Sequence, residues 1–305
     1  MSSFDEKPKS LLDDWCMSEK TLSGRTAADG LLATISNRLN ESKSEASLTI
    51  IQVGSDPASA SYIRQKKKAS EKSGVRFVHC HLPSSSNFLE IKSKIEELNG
   101  DQKVTAFMLQ LPLDTEKAIS KQEVSTLLNT ISPKKDADGL HVENQGQLMA
   151  GESTATNWTS PIPATALGIM RLIEHYKISL KGKNAVVVGR SRLVGLPTAI
   201  LLSHEGATVT ICHRHTKKVN EICARADLIV VAAGQKHLIK AEHVHSNTII
   251  IDVGIHVKED GKLTGDASPE ALEKCKAYTP VPGGVGPMTV AGLVENAARL
   301  SGVKL

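Results

Sequence analysis

Val186 to Pro197 reads VVVGRSRLVGLP. An apolar β-branched run passes into a turn holding Gly189, Ser191 and Gly195, followed by residues able to start a helix. A strand that runs into such a turn and then a helix offers backbone N–H groups to a phosphate at the helix N-terminus. The turn is not G-x-G-x-x-G: Ser191 stands at the second glycine position and the third glycine comes one residue late. Its meaning depends on what surrounds it.

After it, short apolar strands are expected at Ala185–Val188, Thr208–Ile211, Leu228–Ala232 and Thr248–Val253, of the kind buried on both faces. Helices are expected near Leu196–Glu205 and Val219–Arg225, with a last one at Ala291–Leu300 behind the Pro- and Gly-rich loop Thr279–Thr289. Before it the same alternation runs: helix Thr26–Leu39, strand Ser47–Val53, helix Ala58–Ser73, strand Val75–His81, helix Phe88–Leu98, strand Val104–Leu109 and helix Lys121–Leu128. Strands and helices alternating at this spacing predict parallel βαβ units with right-handed crossovers. Asn144–Pro163 reads as a boundary, Thr165–Tyr176 as a linking helix, and Met1–Gly24, lacking periodicity, as an arm.

The fold class expected is therefore α/β in two domains, an N-terminal α/β catalytic domain and a C-terminal Rossmann-like NADP-binding domain with an interdomain cleft. The first takes 1–157 and the second 158–287, with the C-terminal helix in 288–305 packing back on the first. At 305 residues, 40% hydrophobic and 23% charged, the chain can bury a core in each half. No run has the length of a membrane span, and residues 1–20 carry Asp5, Glu6, Asp13 and Asp14 instead of the apolar core of a signal peptide or the acid-poor composition of a transit peptide. The five cysteines, Cys16, Cys80, Cys212, Cys223 and Cys275, are dispersed and never in a C-x-x-C pair, which suits reduced thiols. A cytoplasmic protein is the expectation, with a mitochondrial one left open. A formal charge of +4 is too mild to indicate a nucleic-acid binder and suits an anionic small molecule.

In a dinucleotide fold the second strand commonly ends in an acid that binds the ribose 2′-hydroxyl. Here the tip is Cys212-His213-Arg214-His215-Thr216-Lys217-Lys218, with no acid. Arg214, the lysines beside it and Arg190 on the adjoining turn are suited to a 2′-phosphate, which favours NADP over NAD; the alternative is a solvated basic loop. His213 and His215, like His79 and His81, alternate along extended segments, but no third ligand stands at a metal-binding spacing, so no metal is expected.

In the first half Ser59–Lys68 reads SASYIRQKKK. On a helix Tyr62 and Lys66 are four apart, so a phenol and an amine leave the same face. Three consecutive lysines also fit a solvated surface. Two other segments favour chemistry: in FMLQLPL, Gln110 sits where a buried strand runs out into a Pro loop, and in KKDADG, Asp136 and Asp138 precede a glycine. Both occupy the strand-end positions where open α/β sheets keep their ligands.

VGSDPASASYIRQK, MLQLPL, KKDADGL, VVVGRSRLVGLP, IDVG and TPVPGGVGPMT occur in this order. With them the chain, from about Ser23 onward, closely resembles the bifunctional 5,10-methylenetetrahydrofolate dehydrogenase/5,10-methenyltetrahydrofolate cyclohydrolase family. The resemblance implies NADP-dependent oxidation of 5,10-methylenetetrahydrofolate to the methenyl form, its hydrolysis to 10-formyltetrahydrofolate, a role in one-carbon metabolism and purine biosynthesis, and a homodimer. It implies that Lys66 is the catalytic lysine, supported by Tyr62 and Gln110, and that Asp138 anchors the pterin. Ser59 matches the serine that opens the lysine helix. Gly189, Arg190 and Ser191, with His213 and Arg214, match the cofactor side, and Gly254 and Ile255 the segment beside the nicotinamide. Pro282, Gly283 and Gly286 match the loop over the folate.

Two departures stand out. The family's P-C-T-P-x-G segment is Pro163-Ala164-Thr165-Ala166-Leu167-Gly168 here, and Arg214 stands where Ser is common. No ligase domain follows Leu305, so the two-activity form is the one expected. Two rival readings share the architecture: another two-domain NADP-dependent dehydrogenase of the shikimate type, and a non-catalytic NADP-binding protein.

Overall fold

A computed structural model describes residues 20–305; most of the expected arm, with Cys16, lies outside the described residues. The order is α1 (Gly24–Ser42), β1 (Ser47–Val53), α2 (Pro57–Ser73), β2 (Arg76–Leu82), α3 (Phe88–Gly100), β3 (Ala106–Leu109), α4 (Lys121–Thr130), α5 (Val142–Ala150), α6 (Ala164–His175), β4 (Asn184–Val188), α7 (Gly195–His204), β5 (Thr208–Cys212), α8 (Val219–Cys223), β6 (Leu228–Val231), β7 (Ile249–Asp252), β8 (His256–Val257), β9 (Leu263–Thr264), α9 (Pro269–Lys274), β10 (Ala277–Tyr278) and α10 (Val285–Leu300).

Two parallel sheets result, β2-β1-β3 and β10-β7-β6-β4-β5, with β8 and β9 forming a small antiparallel hairpin. In the second sheet β4 lies between β5 and β6, so the chain leaves its first strand in both directions. That reversal opens a crevice at the carboxyl ends of the strands, where α/β sheets bind ligands. The glycine turn follows β4 directly.

The helix boundaries have local causes. Asp56 accepts from Ser59 N–H at 2.7 Å and Pro57 occupies the first turn, so α2 starts there, and it stops at Gly74 with φ +79. α10 begins at Val285, six residues before the expected Ala291, because glycine and proline at its first turn mask the apolar periodicity. For the same reason the boundary expected at Asn144–Pro163 takes in most of α5: Val142–Ala150 is a short helix holding Gly146 and four polar side chains, Glu143, Asn144, Gln145 and Gln147. β5 corrects a second expectation. Thr208, Thr210 and Ile211 are exposed, since β5 is the edge of its sheet and the helix that follows it, α8, has only five residues.

The end of the arm is not loose. Tyr278 N–H donates to the Lys20 carbonyl at 2.9 Å and Leu22 N–H to the Tyr278 carbonyl at 2.8 Å, so residues 20–22 extend the second sheet beyond β10 before the chain enters the first half.

Nor does each half bury a separate core. One apolar cluster runs from Ile50 and Met108 of the first sheet through Leu167 of α6 and Leu293 of α10 to Val187 and Ile251 of the second. Only the outer faces of the two sheets have clusters of their own. α6 and α10 cross closely: a Cβ at Gly168 would strike the Met288 backbone, and one at Gly292 would come 2.5 Å from the Ala164 carbonyl oxygen. The small residue Ala164, where the family has Cys, sits at that crossing. Pro163 caps α6 and Ala166 is fully buried inside it, so the departures leave the segment helical. Glu295 of α10, fully buried, accepts a bidentate pair from Arg171 of α6 (Nε–Oε2 2.9 Å, Nη2–Oε1 2.7 Å) and a further bond from Arg299 Nε at 2.9 Å. The last helix thus packs on α6, α1 and α2.

Candidate active site at the carboxyl ends of both sheets

Register brings the first half's polar residues together. Ile51 pairs with Leu109 and its carbonyl accepts from Gln110 N–H at 2.8 Å, so Gln110 emerges where β3 ends. Beyond β3 the chain returns as one more edge: Phe107 bridges to Asp136, and Ala137 N–H donates to the Phe107 carbonyl at 3.1 Å. Asp138 therefore leaves its segment beside Gln110.

Lys66 arrives from α2. It is only 7% exposed, which settles the choice between a solvated lysine face and a buried amine; Lys67 and Lys68 are the solvated ones. Its Nζ donates to Gln110 Oε1 at 2.8 Å and lies 3.2 Å from Met108 Sδ, while Gln110 Nε2 donates to the Leu111 carbonyl at 2.7 Å. A polar side chain leaving an apolar strand has thereby found both partners. Burial holds the Lys66 pKa below the ordinary lysine value, with the charge of Asp138 pulling the other way. Burial pushes Asp138 up, opposed by Lys66. Asp138 is half-buried, and no hydrogen bond to its carboxylate is made among the described residues. A buried amine whose charge is disfavoured, next to an acid that stabilises it, gives up its proton more readily than an ordinary lysine.

The segment carrying Asp138 is held rigidly. Asp136 accepts from Gly139 N–H at 3.1 Å, His141 N–H at 2.8 Å and Asn144 Nδ2 at 3.0 Å; its own pKa is raised by burial to about 6 despite these bonds. Asn296 of α10, fully buried, donates to the Ala137 carbonyl at 2.9 Å and the Ile162 carbonyl at 2.7 Å, and accepts from Trp158 Nε1 at 3.1 Å. Gly139, with φ +69, has no room for a Cβ beside Ile162.

Tyr62 behaves differently from the expectation. It leaves α2 toward a cavity of about 580 Å³, is 39% exposed, and makes no hydrogen bond to Lys66 among the described residues. The periodicity put both side chains on one face, but the amine turns inward to Gln110 while the phenol faces the cleft. Ser59 is buried, its N–H spent on the Asp56 cap and its hydroxyl without a partner. The far wall of the cavity is Gly254, Ile255 and Val257 after β7, and its rim is Pro282, Gly283, Gly286 and Pro287. Ile255 is 48% exposed, an apolar side chain offered to the cleft.

The second sheet aligns its own strand ends by the same logic. Gly189 N–H donates to the Cys212 carbonyl at 2.9 Å, Ala232 N–H to Val188 at 2.8 Å and Val253 N–H to Val231 at 2.9 Å. Gly189–Arg190, His213–Arg214 and Gly254–Ile255 thus stand at one end of the sheet. The glycines are required: Gly189 has φ +123 and a Cβ there would strike the Ala232 carbonyl, while one on Gly195 would strike the Gly189 carbonyl. The close packing of this turn on its neighbours sets its backbone at the start of α7, and a helix N-terminus of this kind suits a dinucleotide's phosphates. Ser191 Oγ accepts from Val194 N–H at 3.2 Å, so the residue at the second glycine position braces the turn that leads into α7. Arg190 and Arg214 are exposed, with Arg214 Nε directed to His215 Nε2 at 3.1 Å; His213 Nδ1 accepts from His215 N–H at 3.2 Å, a turn-forming role.

Sequence reasoning missed a pair of interlocked acids behind Ile255. Asp252 accepts from Gly254 N–H (2.9 Å), Asp266 N–H (3.0 Å) and Ala267 N–H (2.8 Å), and burial raises its pKa to about 6. Asp266 Oδ2 accepts from Ala233 N–H at 2.8 Å and Gly234 N–H at 2.9 Å, and its Oδ1 meets His256 Nε2 at 2.7 Å. Cβ atoms on Gly254 and Gly265 would collide with these carboxylates. The signal in the sequence is an Asp within two residues of a Gly in both IDVG and TGDA.

No group of three or more metal-ligating side chains lies together among the described residues, and no helix there is long and apolar enough to cross a membrane. Cys80, Cys212, Cys223 and Cys275 are free thiols.

Comparison with known proteins follows the same division. Residues 22–138 match the family description "Tetrahydrofolate dehydrogenase/cyclohydrolase, catalytic domain", and residues 163–304 match "Tetrahydrofolate dehydrogenase/cyclohydrolase, NAD(P)-binding domain". The bifunctional protein FolD of Campylobacter curvus is 42% identical over 284 residues, covering 92% of this chain and 95% of that one. The crystal structure of the bifunctional FolD dehydrogenase/cyclohydrolase from Campylobacter jejuni superposes with a TM-score of 0.86 at 37% identity, covering 93% and 99%. The Trypanosoma brucei dehydrogenase-cyclohydrolase, solved with NADP cofactor and an inhibitor, gives a TM-score of 0.83 at 31% identity, covering 92% and 97%. The shikimate-type rival shares the fold alone: the Aquifex aeolicus shikimate dehydrogenase is 15% identical with a TM-score of 0.53. The protein belongs to the tetrahydrofolate dehydrogenase/cyclohydrolase family, and it is a two-domain α/β enzyme of the bifunctional kind.

Proposed function

We propose that one cleft carries both reactions, with Lys66 as the acid/base of the hydrolytic step and the Gly189–Ile255 end of the second sheet holding NADP. The observation that carries this reading is the buried Lys66–Gln110 pair with Asp138 at the same strand end. When bound, NADP+ supplies the acceptor for the hydride leaving 5,10-methylenetetrahydrofolate. That step needs no protein base, because the two nitrogens flanking the carbon stabilise the cation that forms. The residues' task there is positioning: Asp138 anchors the pterin, Tyr62 and Ile255 close on it from opposite walls, and the Pro282–Gly286 rim limits water.

Hydrolysis of the methenyl cation is different. Water adding to the carbon must lose protons, and a ring nitrogen must gain one before the C–N bond breaks. Lys66, held with its charge disfavoured, accepts a proton from the adding water and returns one to the leaving nitrogen. Gln110 directs the amine through its Oε1, fixed because its Nε2 is already bonded to Leu111. The 2′-phosphate is met by Arg214 and Arg190. Ser59, with its unsatisfied buried hydroxyl, lies at the substrate end of α2. The chain works on tetrahydrofolate derivatives as a cytoplasmic homodimer and binds no nucleic acid.

The test is a single assay following NADPH formation and methenyl decay together with methylenetetrahydrofolate as substrate. Both signals are expected from the one polypeptide, and NADP binding without turnover would refute the reading.

A further inference from the structure

One side chain of the glycine turn reaches away from the dinucleotide crevice. Arg192 donates from Nη2 to the Leu140 carbonyl at 2.7 Å and from Nη1 to Ser125 Oγ at 3.3 Å, and its own carbonyl accepts from Gln145 Nε2 at 3.0 Å. These three bonds tie the turn after β4 to α4, α5 and the segment that carries Asp138. The guanidinium is held there although its Nε is buried without a hydrogen-bond partner, so its placement is set by the carbonyl and hydroxyl it reaches, not by full satisfaction.

Leu140 is two residues from Asp138, and the segment between cannot absorb a displacement. Asp136 ties Gly139 and His141, Gly139 abuts Ile162, and Asn296 ties Ala137 and Ile162 from the other side. A shift of the Arg192 backbone therefore reaches the Asp138 carboxylate through a braced path. Where two sites are coupled the coupling is reciprocal, each ligand changing the affinity for the other by the same factor.

We propose that Arg192 is a positioning residue that couples occupancy of the dinucleotide turn to the placement of Asp138. The proposal rests on the two-site reading given above. Its measurement is binding, with NADP+ and unreactive folic acid as probes: each dissociation constant is determined alone and with the other ligand saturating, by calorimetry. In the parent protein each ligand is expected to tighten the other by about tenfold, within the usual range of site–site coupling. In Arg192→Ala the factor falls toward unity, by more than either single affinity changes, and in Arg192→Lys, which keeps one donor toward Leu140, it is intermediate. A purely structural role would lower the melting temperature and leave the factor in place, which overturns the proposal. Should Arg192→Ala not fold, Ser125→Ala and Gln145→Ala each remove one strut, and an unchanged factor in both overturns it equally. Coupling absent from a parent protein that binds both ligands refutes Arg192's role alone; a parent that binds neither refutes the functional reading with it.

Discussion

Replacing Lys66 with Met separates the two reactions. Met keeps the length and apolar stem of the buried side chain and adds a thioether beside Met108, so the volume is conserved while the amine is lost. A positioned acid/base contributes about 10²–10⁴-fold, or about 3–5 kcal/mol of barrier, so cyclohydrolase turnover should fall by that factor. Hydride removal, which needs no proton transfer, should stay within about tenfold, the loss coming from the Gln110 oxygen left without its donor. The fold should tolerate the change. Burial lowers the Lys66 pKa, so below it the folded state carries a desolvation cost that disappears as pH rises toward the ordinary 10.5. Met removes that cost, so the advantage in melting temperature of the variant over the parent should shrink as pH rises toward 10.5. The assay starts each reaction separately, methylenetetrahydrofolate with NADP+ for one and methenyltetrahydrofolate for the other. Methenyl decay at the parental rate, or equal loss of both activities in a folded protein, refutes the role assigned to Lys66.

Other perturbations probe other parts of the account. Arg214→Glu should raise the KM for NADP+ much more than for NAD+, since only the former brings a 2′-phosphate; equal changes in steady-state kinetics would count against that contact. Asn296→Ala leaves the Ala137 and Ile162 carbonyls and Trp158 Nε1 without their partner, and at about 1–3 kcal/mol for each unsatisfied buried group the loss by denaturant unfolding should reach several kcal/mol, with both activities reduced. Asp136 has a folded pKa of about 6 against an ordinary 3.8, so between these values the folded state binds the extra proton. Its contribution to stability therefore grows as pH falls from about 7 to about 4, by up to about 3 kcal/mol, and is lost as pH rises through 6; the unfolding free energy of the parent minus that of Asp136→Asn should show this slope, and the opposite slope would refute it.

Much of this arrangement was legible before any coordinates. β1 matches its expected span residue for residue, because seven buried positions between a helix end and Gly54 leave little freedom. Gln110 was recognisable as a residue out of place, an amide on an apolar strand, whereas Lys66 stood in a run of three lysines that fits a solvated face equally well, and only its 7% exposure separates it from Lys67 and Lys68. What periodicity could not supply is direction: Tyr62 and Lys66 share a helical face yet their polar ends diverge. Long-range braces were also hidden. Asn296 lies in an apolar helix 159 positions from Ala137, and Arg192 looks like any basic residue of a phosphate-binding turn until Leu140 is seen beneath it. β5 failed as a buried strand because its apolar residues alternate with threonines, a pattern that fits an edge once its neighbours are known.

The claim at the centre is that a single cleft serves an amine from α2 of the first half and a dinucleotide held at the strand ends of the second sheet. A crystal structure with NADP+ and a folate inhibitor bound together tests it directly. The account predicts the pteridine against Asp138 with Lys66 Nζ within reach of the one-carbon position, and the dinucleotide running from the Gly189 turn to Ile255. A folate seated away from Lys66, or a dinucleotide that does not touch the Gly189–Gly195 turn, would contradict it.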